Sequence, residues 1–321
     1  MSVDFTVAIP TYNGVNRLPK VLDRLHHQIC LKDINWEIII IDNNSTDGTA
    51  EFVKDYQNKW SDRLSIQYYF EAEQGLAFAR NKAIQEAKSE LVGFLDDDNL
   101  PAVNWVFSAY KFGIEHPRAG AYSSQIHGLF EVEPSEKLKS IIFYLAINER
   151  GSYPMLYEPH KKGLPPGAGL VVRRQVWQNH VPNRLFLVGR VGSSMLAGED
   201  AEAMSYIYQA GWEIWYNPTM VIEHIIPYWR IEKKYLISLM SGIGLSRYHI
   251  RMLLLKKWQR PFCSLLYLIN DGFKLVLYYI FYYTRFENDL VAMCELERLT
   301  ATFISPFYLS WVKWQKTMKL Y

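Results

Sequence analysis

Apolar and polar positions alternate in two rhythms along the first hundred residues. Short apolar runs at residues 7–10, 36–42, 66–70 and 91–96 predict strands, and residues 15–29, 49–60 and 76–88 carry apolar side chains at helical spacing between them. Strands that alternate with helices predict a parallel sheet with right-handed crossovers. Asp47-Gly48 marks the turn ahead of the second helix. Each strand also ends in polar chemistry, at Pro10-Thr11, Asp42-Asn43, Glu71 and Asp96-Asp97-Asp98. In open α/β sheets ligands bind beyond the carboxyl ends of the strands, so one pocket is expected there.

Residues 101–227 are less regular, with strands predicted near 120–125, 169–172 and 212–216 and helices near 102–116 and 200–210. Residues 150–166, with Gly151, Pro154, Pro159, Gly163, Pro165 and Pro166, predict a long turn-rich functional loop able to close over a site. Beyond residue 227 the pattern changes. From Arg230 to Arg260 eight Lys or Arg residues stand against the single acid Glu232. Residues 262–283 then form an apolar, aromatic run in which Asn270, Asp271 and Lys274 fall on one narrow helical face. Asp271 and Lys274 near its centre would be costly in hydrocarbon, so no membrane span is expected. Peripheral attachment of 230–283 to an anionic leaflet and packing against the rest of the chain, or in a homodimer, both stay open.

Composition narrows the class. The 321 residues are 49% hydrophobic and 21% charged, which excludes collagen-like and disordered chains. A formal charge of +2 offers no general field for nucleic acid, so no nucleic-acid partner is expected. Cys30, Cys263 and Cys294 are too scattered for a disulfide framework or a metal knuckle. A reducing, cytoplasmic setting is expected, and the N-terminal residues read as structure rather than as a secretion signal.

The richest chemistry is Asp96-Asp97-Asp98-Asn99, directly after an apolar strand. Carboxylates gathered at a strand end repel one another unless a cation or hydrogen-bond donors neutralise them. In extended backbone Asp96 and Asp98 share one side while Asp97 points elsewhere, a spacing suited to Mg²⁺ or Mn²⁺ beside a diphosphate.

Three signatures precede that cluster in order: Pro10-Thr11-Tyr12-Asn13-Gly14, residues 41–49 (IDNNSTDGT) and residues 75–81 (GLAFARN). With the acidic cluster they resemble the family-two glycosyltransferases of the GT-A fold, over roughly residues 4–230. The resemblance implies a fold in which residues 1–229 form a catalytic domain, 1–100 taking the nucleotide-sugar and 101–229 the acceptor. Residues 230–321 would be a basic, aromatic helical extension.

It also implies roles. Pro10, Thr11 and Asn13 would line the nucleotide pocket, Asp42 would contact base or ribose, and Arg80 and Asn81 would support the nucleotide. Asp96 and Asp97 would belong to the cofactor-binding set, and Asp98 with His224 would hold Mn²⁺ or Mg²⁺ against the diphosphate. Residues 167–174 (GAGLVVRR) resemble the family's small-residue strand, where donor and acceptor approach the backbone. In Gly198-Glu199-Asp200 the aspartate would be the catalytic base, with Glu199 bracing it or binding the acceptor. Arg230 would be a further diphosphate partner. The implied activity is metal-dependent, inverting transfer from a nucleoside-diphosphate sugar, most simply a UDP-sugar, to a glycan or lipid-linked acceptor in surface polysaccharide synthesis. The implied location is cytoplasmic, on the inner face of the plasma membrane if the extension attaches there. A catalytically silent sugar-nucleotide or glycan-binding module is the alternative. A nucleotidyltransferase is disfavoured, because residues 10–14 lack its glycine-rich basic loop.

Overall fold

The computed structural model describes residues 2–60, 65–192 and 195–318. Its described residues form two compact units, the first from those within 2–129, 146–186 and 199–226 and the second from those within 130–145, 187–198 and 227–318.

The first unit is built on a mixed sheet. Strands β1 (Phe5–Thr11), β2 (Trp36–Asp42), β3 (Ser65–Phe70) and β4 (Leu91–Phe94) are parallel in the spatial order β3-β2-β1-β4. The remaining strands are β5 (Asn99–Pro101), β6 (Ala119–Phe130), β7 (Met155–Leu156), β8 (Val171–Arg173) and β9 (Glu213–Ile226). The order continues β8-β6-β9-β5, with β8 antiparallel to both β4 and β6, β5 antiparallel to β9, and β7 on β9.

Strand period sorts the core into two layers. Phe5, Val7, Ile9, Ile38 and Ile40 face one side with α1 (Leu18–His26), α2 (Thr49–Trp60) and α4 (Trp105–Glu115). Ala8, Ile39 and Ile41 face the other with α3 (Leu76–Glu86), α6 (Arg174–His180) and α7 (Glu199–Gln209). Strands covered on both faces read as continuous apolar runs, which is why residues 36–42 stood out in the sequence.

Two segments differ from their sequence patterns. Residues 150–166 are pinned rather than free. Met155 and Leu156 pair with Tyr216 and Trp215, Pro159–Lys162 form the short helix α5, and the buried Tyr157 hydroxyl bonds to Ser123 and Asn148. Strand β9 runs well past the predicted 212–216. Asn217-Pro218 reads as a stop, but Asn217 Oδ1 accepts from both the N–H and the hydroxyl of Thr219, and the strand carries on to His224.

The second unit holds α8 (Lys233–Leu253), α9 (Arg260–Tyr282) and α10 (Leu290–Met318). Close approach needs glycine here: a Cβ on Gly242 would lie 1.9 Å from the Met195 carbonyl, and one on Gly244 2.5 Å from Ala301 Cβ.

Gly93 in β4 plays the same part in the main core, since a Cβ there would meet Trp105 and Phe5 at 2.7 and 2.8 Å. Gly93→Val is expected to cost about 1–3 kcal/mol through overpacking, read as a lower urea midpoint at unchanged m.

Candidate active site

The carboxyl ends of β1, β2 and β4 bring the sequence motifs together. Gly14 lets the chain turn tightly after β1, because a Cβ there would collide with Thr11 Oγ1 and come 2.7 Å from Asp97 Oδ2. Thr11 Oγ1 donates to Asp97 Oδ2 at 2.6 Å, while Arg17 Nε and Nη2 donate to Asp97 Oδ1 and Oδ2 at 2.7 and 2.9 Å. Burial pushes the Asp97 carboxyl up, and Arg17 and Thr11 work against that rise. Asp97 therefore has its own internal cation.

Asn13 sits at φ +50° and ties the first turn to the second: its N–H donates to Ser45 Oγ, and its Oδ1 accepts from Thr46 N–H at 2.8 Å. Asp42 is buried at the end of β2, where Oδ1 accepts the Ser45 N–H and Oδ2 accepts the Tyr68 hydroxyl. Burial first, and then that hydrogen bond, push the Tyr68 phenol up, so Tyr68 stays a donor. Asp42 thus shapes the turn after β2 as an Asx residue. Pro10 and Thr11 are the last buried residues of β1, and Tyr12 beside them is about half exposed.

Arg80 lies at the centre of the site. Helix α3 starts at Gly75, whose φ of +143° suits glycine and whose N–H donates to Asn43 Oδ1. One turn on, the Arg80 side chain is only 3% exposed; Nη1 donates to Glu199 Oε1 at 3.2 Å, and Nη2 lies 3.7 Å from Asp96 Oδ1. Gly167 makes the room, since a Cβ there would fall 2.2 Å from Arg80 Nη2. The Gly167 N–H in turn donates to Asp200 Oδ2 at 2.7 Å, and the Ala201 N–H donates to Asp200 Oδ1. The small residues at 167–169 thus admit Arg80, Ser124 and Ile222 rather than an open approach to the backbone. Asn81 faces away from this cluster, bonded through Oδ1 to Trp177 Nε1 and through Nδ2 to the Asn183 carbonyl.

Asp98 and His224 meet because β5 and β9 place Asn99 opposite His224. His224 Nε2 stands 3.5 Å from Asp98 Oδ2, and Asn99 Nδ2 donates to Asp98 Oδ1 at 3.1 Å. Asp96 Oδ1 is buried with no hydrogen-bond donor among the described residues. Burial pushes the Asp96 carboxyl up; Arg80 opposes the rise and Asp98 adds to it.

These residues fit a divalent ion. Two ligands at right angles on a cation with bonds of about 2.1 Å stand about 3 Å apart, close to the Asp98–His224 spacing. The carboxylate oxygen suits Mn²⁺ or Mg²⁺ and the imidazole favours Mn²⁺ of the two, and such ions commonly take few protein ligands and complete their shell with phosphate oxygens. The described residues contain no cluster of three or more His, Cys, Asp or Glu side chains placed to hold one ion, so Asp98 and His224 would be its two protein ligands.

Sequence reasoning missed Arg17 and Tyr68, and gave Asn99 no role of its own. A buried Asp97 requires a cation, but nothing local marks Arg17, eighty positions earlier, as its source. Arg230, proposed as a diphosphate partner, lies in the second unit with its guanidinium over the Trp229 ring at 5.4 Å.

Comparison with known proteins gives a consistent picture. Residues 6–176 match the family model described as glycosyl transferase family 2. TuaG of Bacillus subtilis (strain 168), which carries the name of a teichuronic acid biosynthesis glycosyltransferase, is 36% identical over 94 residues, 29% of this chain and 35% of TuaG. Glycosyltransferase AglE of Haloferax volcanii is 33% identical over 101 residues, 32% of each chain. The match thus spans about a third of the length of these curated relatives. Among solved structures, a mannosyltransferase from Pyrobaculum calidifontis, in complex with GDP-Man and Mn²⁺, aligns with a TM-score of 0.58 at 18% identity, covering 96% of this chain and 88% of that one. The mixed sheet is the GT-A fold expected from the sequence.

Arg80→Ala would leave Asp96 and Glu199 facing one another without their shared cation. A loss of about 3–5 kcal/mol is expected from urea unfolding, partly recovered in Arg80→Met/Glu199→Gln, where the pair is replaced rather than broken.

Proposed function

The chain belongs to glycosyl transferase family 2, and from that premise we propose that its first unit moves a sugar from a nucleoside diphosphate, a UDP-sugar foremost, to an acceptor hydroxyl with inversion. The acceptor is a glycan or lipid-linked glycan of surface polysaccharide synthesis, a reading supported by the name carried by TuaG. The observation that carries the proposal is the pairing of Asp98 with His224 beside Asp96 Oδ1, in the same unit as an Asp200 that stands at the start of α7 and is gripped by the Gly167 N–H.

Pro10, Thr11 and Asn13 line the nucleotide side, with Asp42 and Tyr68 holding the turn against the base and ribose. Asp98 and His224 would hold the divalent ion, which when bound supplies Lewis-acid stabilisation of the leaving diphosphate. Asp200 takes the acceptor hydroxyl proton as the oxygen–anomeric carbon bond forms and the bond from that carbon to the diphosphate breaks. The backbone N–H groups of Gly167 and Ala201 aim its carboxylate, so its orientation is set before the acceptor arrives. Glu199 and Arg80 act as positioning residues: their ion pair joins the start of α7 to α3 and holds Asp96 beside Asp98. Mn²⁺ and GDP-Man in the Pyrobaculum structure support the general donor and ion class, not the choice of sugar.

Thermal shift with UDP, GDP, dTDP and CDP, each with and without Mn²⁺, tests this reading. One nucleotide is expected to raise Tm by several degrees in a metal-dependent way, since a hundredfold excess over Kd contributes about 2.7 kcal/mol. Asp98→Ala should remove that gain. Asp200→Asn should keep it while lowering turnover about 10²–10⁴-fold. If no nucleotide shifts Tm under either condition, a silent glycan-binding module takes its place.

A further inference from the structure

Helix α9 is amphipathic the wrong way round for a surface helix in water. Phe262, Leu266, Ile269, Phe273, Val276 and Ile280, spaced four and three residues apart, form one stripe, and each is more than half exposed. The stripe is about 27 Å long at 1.5 Å per residue. Asp271, Ser264 and Tyr278 lie on the opposite side, against α8 and α10. Asp271 is buried and ion-paired with Arg251, whose guanidinium also stacks over Tyr267 at 4.7 Å. Ser264 bonds to the Tyr248 hydroxyl, and Tyr278 donates to the Ala292 carbonyl. The sequence pattern grouped Asn270, Asp271 and Lys274 on one face; only Asp271 turns inward, while Asn270 and Lys274 stay exposed on the flank.

Charge selects what covers this stripe. Residues 256–285 carry Lys256, Lys257, Arg260, Lys274 and Arg285, and their only acid, Asp271, is already paired. Exposed Trp258 and Tyr283 stand at the two ends of the helix. A second copy laid on the stripe would set cations against cations in any register, whereas an anionic leaflet answers both the apolar face and the basic flanks. Residues Lys257–Arg285 are long and apolar enough to cross a bilayer by length and composition. The Arg251–Asp271 pair, however, ties the middle of the helix to α8, and Lys274 sits on its exposed flank. Both features favour a helix lying flat.

We propose that the outward stripe of α9, with its flanking lysines and arginines, beds in the headgroup–acyl boundary of an anionic lipid leaflet. This stands independently of the donor site.

The test is co-sedimentation of the full chain with phosphatidylcholine vesicles, with and without phosphatidylglycerol, together with Trp fluorescence. Binding to the anionic vesicles, weakened by salt and accompanied by a blue shift, is expected. Phe262→Ser/Phe273→Ser/Ile280→Ser should abolish it, and Lys256→Glu/Lys257→Glu should weaken it on the order of tenfold or more. Since all five side chains are exposed, the variants should keep the wild-type Tm. The proposal is overturned if wild type ignores anionic vesicles, or if the variants bind as well as wild type. It also fails if bound protein resists alkaline carbonate extraction, which marks a span, or if light scattering shows a dimer that the triple variant dissolves while vesicles stay unbound.

Discussion

A single buried guanidinium holds the candidate site together. Arg80 stands between Asp96, at the end of β4, and Glu199, at the start of α7, and Gly167 yields the volume it occupies. Taking one cation out of water is costly, and two carboxylates in the same place would repel each other; together they offset both costs. The consequence is geometric. Once Arg80 is seated, the acidic end of β4, the backbone N–H that grips Asp200 and the first turn of α7 are held in one arrangement.

A second cation does a separate job. Arg17 and Thr11 neutralise Asp97 on the far side of the acidic run. Three consecutive aspartates would otherwise raise one another's proton affinity, and burial already pushes both Asp96 and Asp97 upward. With Asp97 turned to its own partner, Asp98 faces His224 at 3.5 Å. The sheet provides this through the β5–β9 ladder, which sets Asn99 opposite His224 across more than a hundred residues of chain.

The second unit follows a different logic. Its helices meet through small residues, Gly242 and Gly244, and through the Arg251–Asp271 pair, and this spends the polar side of α9 on the inside. Apolar side chains then have nowhere to go but outward. In a chain that remained wholly in water such a face would favour aggregation, so the packing itself argues for a covering phase.

Much was legible in the sequence. Apolar runs at 36–42 and 91–96 marked strands, because a strand packed on two sides is apolar at most positions; the buried Glu37 is the exception, satisfied by Thr6 Oγ1 and the Lys88 N–H. The Asp-rich run after β4 announced a place where charge needs neutralising. What stayed hidden depends on long-range pairing. The extension of β9 past Pro218, the pinning of residues 150–166 by β7, the choice of Arg17 for Asp97 and the inward turn of Asp271 each rest on a partner far away in sequence. Local periodicity reports which positions want burial or a cation. Only the tertiary structure decides which partner arrives, because the energy of an ion pair or a ladder depends on through-space distance, and chain separation says nothing of that.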